Sequence, residues 1–123
     1  MRQSLTIGSR GSKLALTQTN QIVDMIRGVI PDIEIDIQII TTKGDVILDK
    51  PLAEIGGKGL FTEELENALR DGSIDLAVHS LKDLPTDNPE GLVIAASPSR
   101  VTPNDALVCT KYASLNDLPA GRP

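Results

Sequence analysis

The sequence predicts an α/β domain built on a mostly parallel, doubly wound sheet. Short segments of strand character alternate with longer segments of helical period, in the order strand, helix, strand, helix, strand. Ile33, Ile35, Ile37 and Ile39 alternate with Glu34, Asp36 and Gln38, the period of a half-buried strand. The 123 residues amount to one domain's worth of chain, and 40% are hydrophobic but only 2% aromatic, so the core is aliphatic.

Leu5 to Ser9 reads as the first strand. Ser12 suits the N-cap of a helix whose apolar face carries Leu14, Ala15, Ile22, Met25, Ile26 and Val29, and Pro31 closes it. The isoleucine strand follows. Thr41 to Gly59 holds four glycines and a proline without clear period; a connection of that length is expected to be a lid or disordered, and Thr42–Gly59 the least ordered internal segment. Phe61, Leu65, Ala68 and Leu69 mark a second helix stopped by Gly72. Leu76 to His79 is expected as the third strand, Leu92 to Ala96 as the fourth and Ala106 to Cys109 as a fifth. The Pro-containing stretch after Ala96 reads as a crossover, and Ser114 with Asp117 brackets a capped turn. Residues 1–98 thus form a first α/β domain, and 99–123 a crossover and the opening of a second.

The bulk numbers narrow the function. Net charge is −5 and Phe61 and Tyr112 are the only aromatics, which argues against a nucleic-acid surface or base-stacking platform. No apolar run reaches the length of a membrane span, and the N-terminus lacks a signal-peptide pattern, so a cytoplasmic protein is expected. Cys109 is the single cysteine and His79 the single histidine. That leaves no internal disulfide and no metal site to expect, and Cys109, after Ala106, Leu107 and Val108, is expected to be a buried, inert thiol.

In a parallel sheet ligands sit beyond the carboxyl ends of the strands. Those ends carry Arg10 and Ser12, then Thr41, Thr42, Lys43, Gly44 and Asp45, then His79, Ser80, Lys82 and Asp83. Arg10 and Ser12 at a helix start suit an anion, or else a capped helix with a solvated arginine. Lys58 lies in GGKGLF, which fails as a phosphate-binding P-loop because Leu52 stands where a glycine is required and Gly59 where Ser or Thr is. A glycine-rich hinge bearing one cation describes it better. Asp83 is either an ion-pair or turn-capping residue, or a carboxylate placed among cations for proton transfer or cation stabilisation. An anion-binding site alone gains nothing from its charge.

Ile7–Leu16 reads IGSRGSKLAL, Thr41–Glu66 reads TTKGDVILDKPLAEIGGKGLFTEELE, and Asp75–Thr86 reads DLAVHSLKDLPT. With TPNDALV and SLNDLPAG further on, these stretches resemble the porphobilinogen deaminase (hydroxymethylbilane synthase) family over essentially the whole chain. The resemblance implies a transferase of tetrapyrrole and heme biosynthesis that joins four porphobilinogen units, with release of ammonia, on a dipyrromethane cofactor held by a cysteine. It implies three domains, the first two like type II periplasmic binding proteins, and a full-length protein acting as a monomer on a small-molecule substrate. By matching position, Asp83 is the catalytic aspartate. Arg10, Ser12, Lys58, Ser80 and Lys82 hold acetate and propionate groups, His79 and Phe61 line the cleft, and Thr42 to Gly59 closes over it. Glu54 stands where the family often has Lys. The family's cofactor-bearing cysteine lies beyond Pro123 and is not Cys109, so the chain is expected to be an N-terminal part, inactive by itself. The other reading is a type II anion- or amino-acid-binding module without catalysis, which shares the fold.

Overall fold

In a computed structural model of the chain, which describes residues 4–47 and 49–121, a central strand runs between two parallel neighbours. This strand, β1 (Ser4–Ser9), pairs along its length with β2 (Glu34–Ile39), from Ser4 opposite Glu34 to Ser9 opposite Ile39. On its other edge β1 pairs with the short β3 (Leu76–Ala77) through Ile7–Leu76 and Gly8–Ala77. The order is therefore β2-β1-β3. The chain steps from β1 to one side and then crosses to the other, and a crevice opens at such a switch point beyond the strand ends.

Helices cover both faces of β1. Successive side chains of a strand point to opposite faces. The Ser9 hydroxyl lies 2.8 Å from that of Thr19 on α1 (Lys13–Val29), whereas the α-carbon of the preceding Gly8 faces Leu65 of a later helix and Ile74. That doubly wound arrangement buries Ile7, Val23, Leu65, Ala68 and Ile74 as an aliphatic core.

Ser12 caps α1, its hydroxyl accepting from the Ala15 N–H at 3.2 Å, as expected. The buried stripe of α1 is not the expected one. It runs through Thr19 and Val23, with Ile22 and Ile26 half-buried, while Leu14, Met25 and Val29 are exposed. Thr19 holds the centre of that stripe because its hydroxyl is satisfied by Ser9 and by the Ala15 carbonyl, both at 2.8 Å. In β2, Ile35 and Ile37 are half-buried as their alternation predicts, but Ile39 is exposed.

The connection from Thr41 to Gly59 is not irregular throughout. It contains two single helical turns, α2 (Lys43–Val46) and α3 (Leu52–Ile55). The first is firmly seated: the Gly44 N–H donates to the Leu60 carbonyl at 2.8 Å and the Lys43 N–H to Glu64 at 3.0 Å. Gly44 is required by close approach, because a β-carbon there would overlap the Phe61 ring. Gly44→Ala is expected to destabilise the fold by about 1–3 kcal/mol, as overpacking of a rigid site does. A urea midpoint equal to the parent's would refute that close approach.

Phe61 precedes rather than joins the next helix, α4 (Glu63–Asp71), whose first turn carries three glutamates that favour the helix N-terminus. Gly72 stops it in the left-handed region at φ 79°, as expected.

The chain divides into two compact units, residues 1–93 and 94–123. In the second, the expected capped turn is present: the Ser114 N–H and hydroxyl both donate to Asp117 at 2.9 Å, closing a 3₁₀ turn over Leu115–Asp117. The expected strands over Leu92–Ala96 and Ala106–Cys109 are absent. A strand needs a ladder partner, and among the described residues neither segment has one, so Val93 and Val108 stand exposed. Cys109 is correspondingly exposed rather than buried.

Candidate functional site

The parallel register places the carboxyl ends of all three strands on one edge, and a cavity of about 240 Å³ opens there. Seven of the eight residues singled out from the sequence line it: Arg10 and Ser12 after β1, Phe61 before α4, and His79, Ser80, Lys82 and Asp83 after β3. Lys58 does not; it is exposed between Gly57 and Gly59. Leu14, Ala15, Val78 and Phe61 supply an apolar lining. Leu14, exposed on α1 and misread as core, is thus a wall of the cleft.

Asp83 is carried to the cleft by a 3₁₀ turn (Leu81–Asp83), closed by its own N–H donating to the Ser80 carbonyl at 3.0 Å. Arg10 reaches it through Nη1, 3.4 Å from Oδ2. The guanidinium carbon lies 4.2 Å from the Phe61 ring centroid, a cation–π contact that fixes the plane of the group. The Ser80 hydroxyl donates to Gln18 Oε1 at 2.7 Å, tying the β3 end to α1. Burial pushes the His79 imidazole below its ordinary range, against the pull of Asp83, so a neutral ring faces the cleft near neutral pH.

Two residues of this arrangement escaped the reading of the sequence. Gln18 is not singled out by the spacing, which marks only the apolar face of α1. Asp45 was visible only as one member of a strand-end cluster, although Thr42-x-x-Asp45 has the spacing of a capping box. That box forms: the Thr42 N–H and hydroxyl donate to Asp45 Oδ2 at 3.1 and 2.7 Å. The same carboxylate accepts from Arg10 Nε at 3.1 and 3.2 Å, and from Nη2. These bonds, Arg10's first among them, lower the Asp45 carboxyl from 3.8 to about 2, against the effect of burial.

A carboxyl whose folded pKa is depressed stabilises the fold above its unfolded pKa and loses that contribution as pH falls through the folded value. For Asp45 the window runs from about pH 4–5 down to about 2, and the contribution is on the order of 1–2 kcal/mol after solvent screening. Asp45→Asn is therefore expected to lower the urea midpoint at pH 6, with the gap narrowing below about pH 4 and closing only as pH falls through about 2. A gap as wide at pH 2.5 as at pH 6 would show that the ion pair is not its source.

Among the described residues no group of three or more His, Cys, Asp or Glu could hold a metal ion, and no helix is long and apolar enough to cross a membrane.

A sequence profile described as "Porphobilinogen deaminase, dipyromethane cofactor binding domain" matches residues 5–123. The chain is similar to the porphobilinogen deaminases of Maridesulfovibrio salexigens (56% identical over 119 residues, 97% of this chain and 39% of that protein) and Syntrophus aciditrophicus (53% over 117 residues, 95% and 38%). The enzyme of Rickettsia canadensis is 54% identical over 119 residues, 97% of this chain and 40% of that protein. The chain thus spans about two-fifths of the length of these relatives. With a doubly wound parallel sheet, a strand-end cleft and a profile match over nearly all its residues, the chain belongs to the porphobilinogen deaminase family.

Proposed function

We propose that this chain forms the first domain, with residues 99–123 as the opening of the second, of a soluble cytoplasmic hydroxymethylbilane synthase that acts as a monomer. The observation that carries the reading is one carboxylate, Asp83, set beside Arg10 and Lys82 in a cleft that also has apolar walls. A pyrrole bearing acetate and propionate groups is such an amphiphile: its ring suits Phe61, Leu14 and Val78, and its carboxylates suit hydroxyl and cationic donors.

The same donor set fits the dipyrromethane cofactor, with Arg10, Ser12, Ser80 and Lys82 as the residues that would hold its carboxylates. When bound, the cofactor supplies the pyrrole end on which the product is extended. The chain's own residues do the rest. Loss of ammonia from porphobilinogen leaves a cationic, electron-poor pyrrole, and the Asp83 carboxylate stabilises positive charge and takes up or returns a ring N–H proton. Arg10 and Phe61 fix where that carboxylate stands. A cavity of about 240 Å³ is small for a tetrapyrrole, so a growing product extends out of it. Lys58, outside the cavity in this conformation, joins the site only if the glycine-flanked segment carrying it folds inward.

Cys109 is proposed not to carry the cofactor, although its exposure removes burial as the reason. Intact mass after production in a porphobilinogen-making host should equal that of the bare chain, and an added dipyrromethane on Cys109 would overturn the assignment. The reading as a whole is tested by completing the chain to the length of its relatives and measuring hydroxymethylbilane formation. A folded, complete protein that binds small carboxylates but forms no product from porphobilinogen would favour the binding-module alternative.

A further inference from the structure

The cleft arginine is already occupied by the chain's own carboxylates. A guanidinium offers five N–H donors. Arg10 directs Nε and one Nη2 donor to Asp45 and one Nη1 donor to Asp83, and its face lies on Phe61. The edge formed by Nε and Nη2 is one of the two edges that can grip a carboxylate, the other being the Nη1–Nη2 end, and here both of its nitrogens reach Asp45. Asp45 holds that edge, and is itself fixed from behind by the Thr42 N–H and hydroxyl. Asp83 receives only the longer contact at 3.4 Å. Along the row Asp45, Arg10, Asp83, two negative charges share one positive charge.

We propose that Asp45 is a positioning residue that holds the gripping edge of Arg10 away from Asp83, and that Arg10 serves the Asp83 carboxylate first and a ligand carboxylate second. The inference rests on Asp83 being the reacting carboxylate, as argued above. Without Asp45 the guanidinium is free to turn its bidentate edge onto Asp83 and close it into an ion pair. An Asp83 locked in that way is a weaker proton acceptor and less able to meet a cationic ring. Asp45 thus keeps Asp83 oriented by a cation but not neutralised by it. A ligand carboxylate meets the Arg10 donors left over, together with Lys82 and the hydroxyls of Ser12 and Ser80.

The groups facing Asp83 are Arg10 from the β1–α1 junction, His79 from the end of β3 and Lys82 in its own turn. Asp45 stands behind Arg10, and Glu66 of α4 acts on His79. Replacing Asp45 by Asn leaves the Nε–Nη2 edge of Arg10 without its charged partner. In the structure of the Asp45→Asn variant of the 123-residue chain, that edge is expected on Asp83, with Nε or Nη2 within about 3.2 Å of a carboxylate oxygen. Asp45→Glu, which keeps the charge, should draw the edge back. An Asn variant in which Asp83 keeps only its Nη1 contact overturns the proposal, since a role confined to stability would leave the Arg10–Asp83 geometry as it was.

A second readout needs no substitution. The Arg10 Nε resonance of the parent should move with the titration of Asp45, and movement with Asp83 alone overturns the proposal even if the Asn variant does not fold. Neither measurement uses turnover. An Asp83 indifferent to Asp45 therefore defeats this inference alone, and undiminished product formation by Asp83→Asn defeats the catalytic reading alone.

Discussion

Asp83→Asn, made in the chain completed to the length of its relatives, is expected to lower turnover by about 10²–10⁴-fold, the cost of removing a general acid–base group. Lost stabilisation of the developing cation adds to that. The fold should survive, because the two side chains are nearly the same size and the Arg10 contact to Asp83 is the long one, at 3.4 Å. An amide oxygen can still accept from Nη1, so the loss falls on charge and proton exchange rather than on packing. Substrate affinity should change little or tighten, since the carboxylate repels those of the ligand. Single-turnover ammonia release is the measurement. A folded Asn variant within about threefold of the parent, far inside the expected loss, would reduce Asp83 to an ion-pair residue.

Arg10→Leu is expected to damage stability and chemistry together. The side chain is largely buried, 16% exposed, between two carboxylates and an aromatic face. Its removal leaves Asp45 and Asp83 without their shared cation, at a cost of about 1–3 kcal/mol, below that of a fully buried pair because both remain partly solvated. Turnover in the completed chain should fall by roughly 10²-fold or more, because Asp83, the proposed reacting carboxylate, loses both its orientation and its counter-charge. The cause can be separated by a double-mutant cycle. Adding Asp45→Asn to Arg10→Leu should recover stability, since the orphaned charge is removed, while turnover stays low. Independent, additive losses from the two substitutions would show that the pair is not coupled.

How far the sequence reaches is visible residue by residue. The isoleucines of β2, the Ser12 cap and the Gly72 stop are local signals, each decided within a few residues, and each appears in the structure. The cleft was legible because parallel topology sends every strand's carboxyl end to one edge, whatever the tertiary detail. What was lost is set at long range. Asp45 meets Arg10 across 35 positions, and no local pattern announces that a capping carboxylate has a second partner. Thr19 is buried only because Ser9 stands opposite it on β1, and the same packing leaves Met25 and Val29 outside. The apolar stretches around Val93 and Val108 have strand propensity, but propensity describes a side chain's fit to a sheet and provides no neighbour to pair with. Lys58 matched a family position and still lies outside the cavity, because backbone conformation rather than residue type decides where a glycine-flanked lysine points.

The central place of β1 also sets an order of events as the chain leaves the ribosome. Once residue 64 has emerged, β1 can pair with β2, α2 can seat on Leu60 and Glu64, and Arg10 can close on Asp45, with α1 packed on one face. The opposite edge of β1 then waits for residues 75–78, whose N–H groups complete its bonds at Thr6 and Gly8. Such late, distant pairings are the slow part of parallel-sheet folding, because the intervening chain must be ordered before they form. Among the described residues, Asp83 is the last of the cleft lining to be synthesised. The order of synthesis therefore makes Arg10 and Asp45 available to each other before Asp83 has been made.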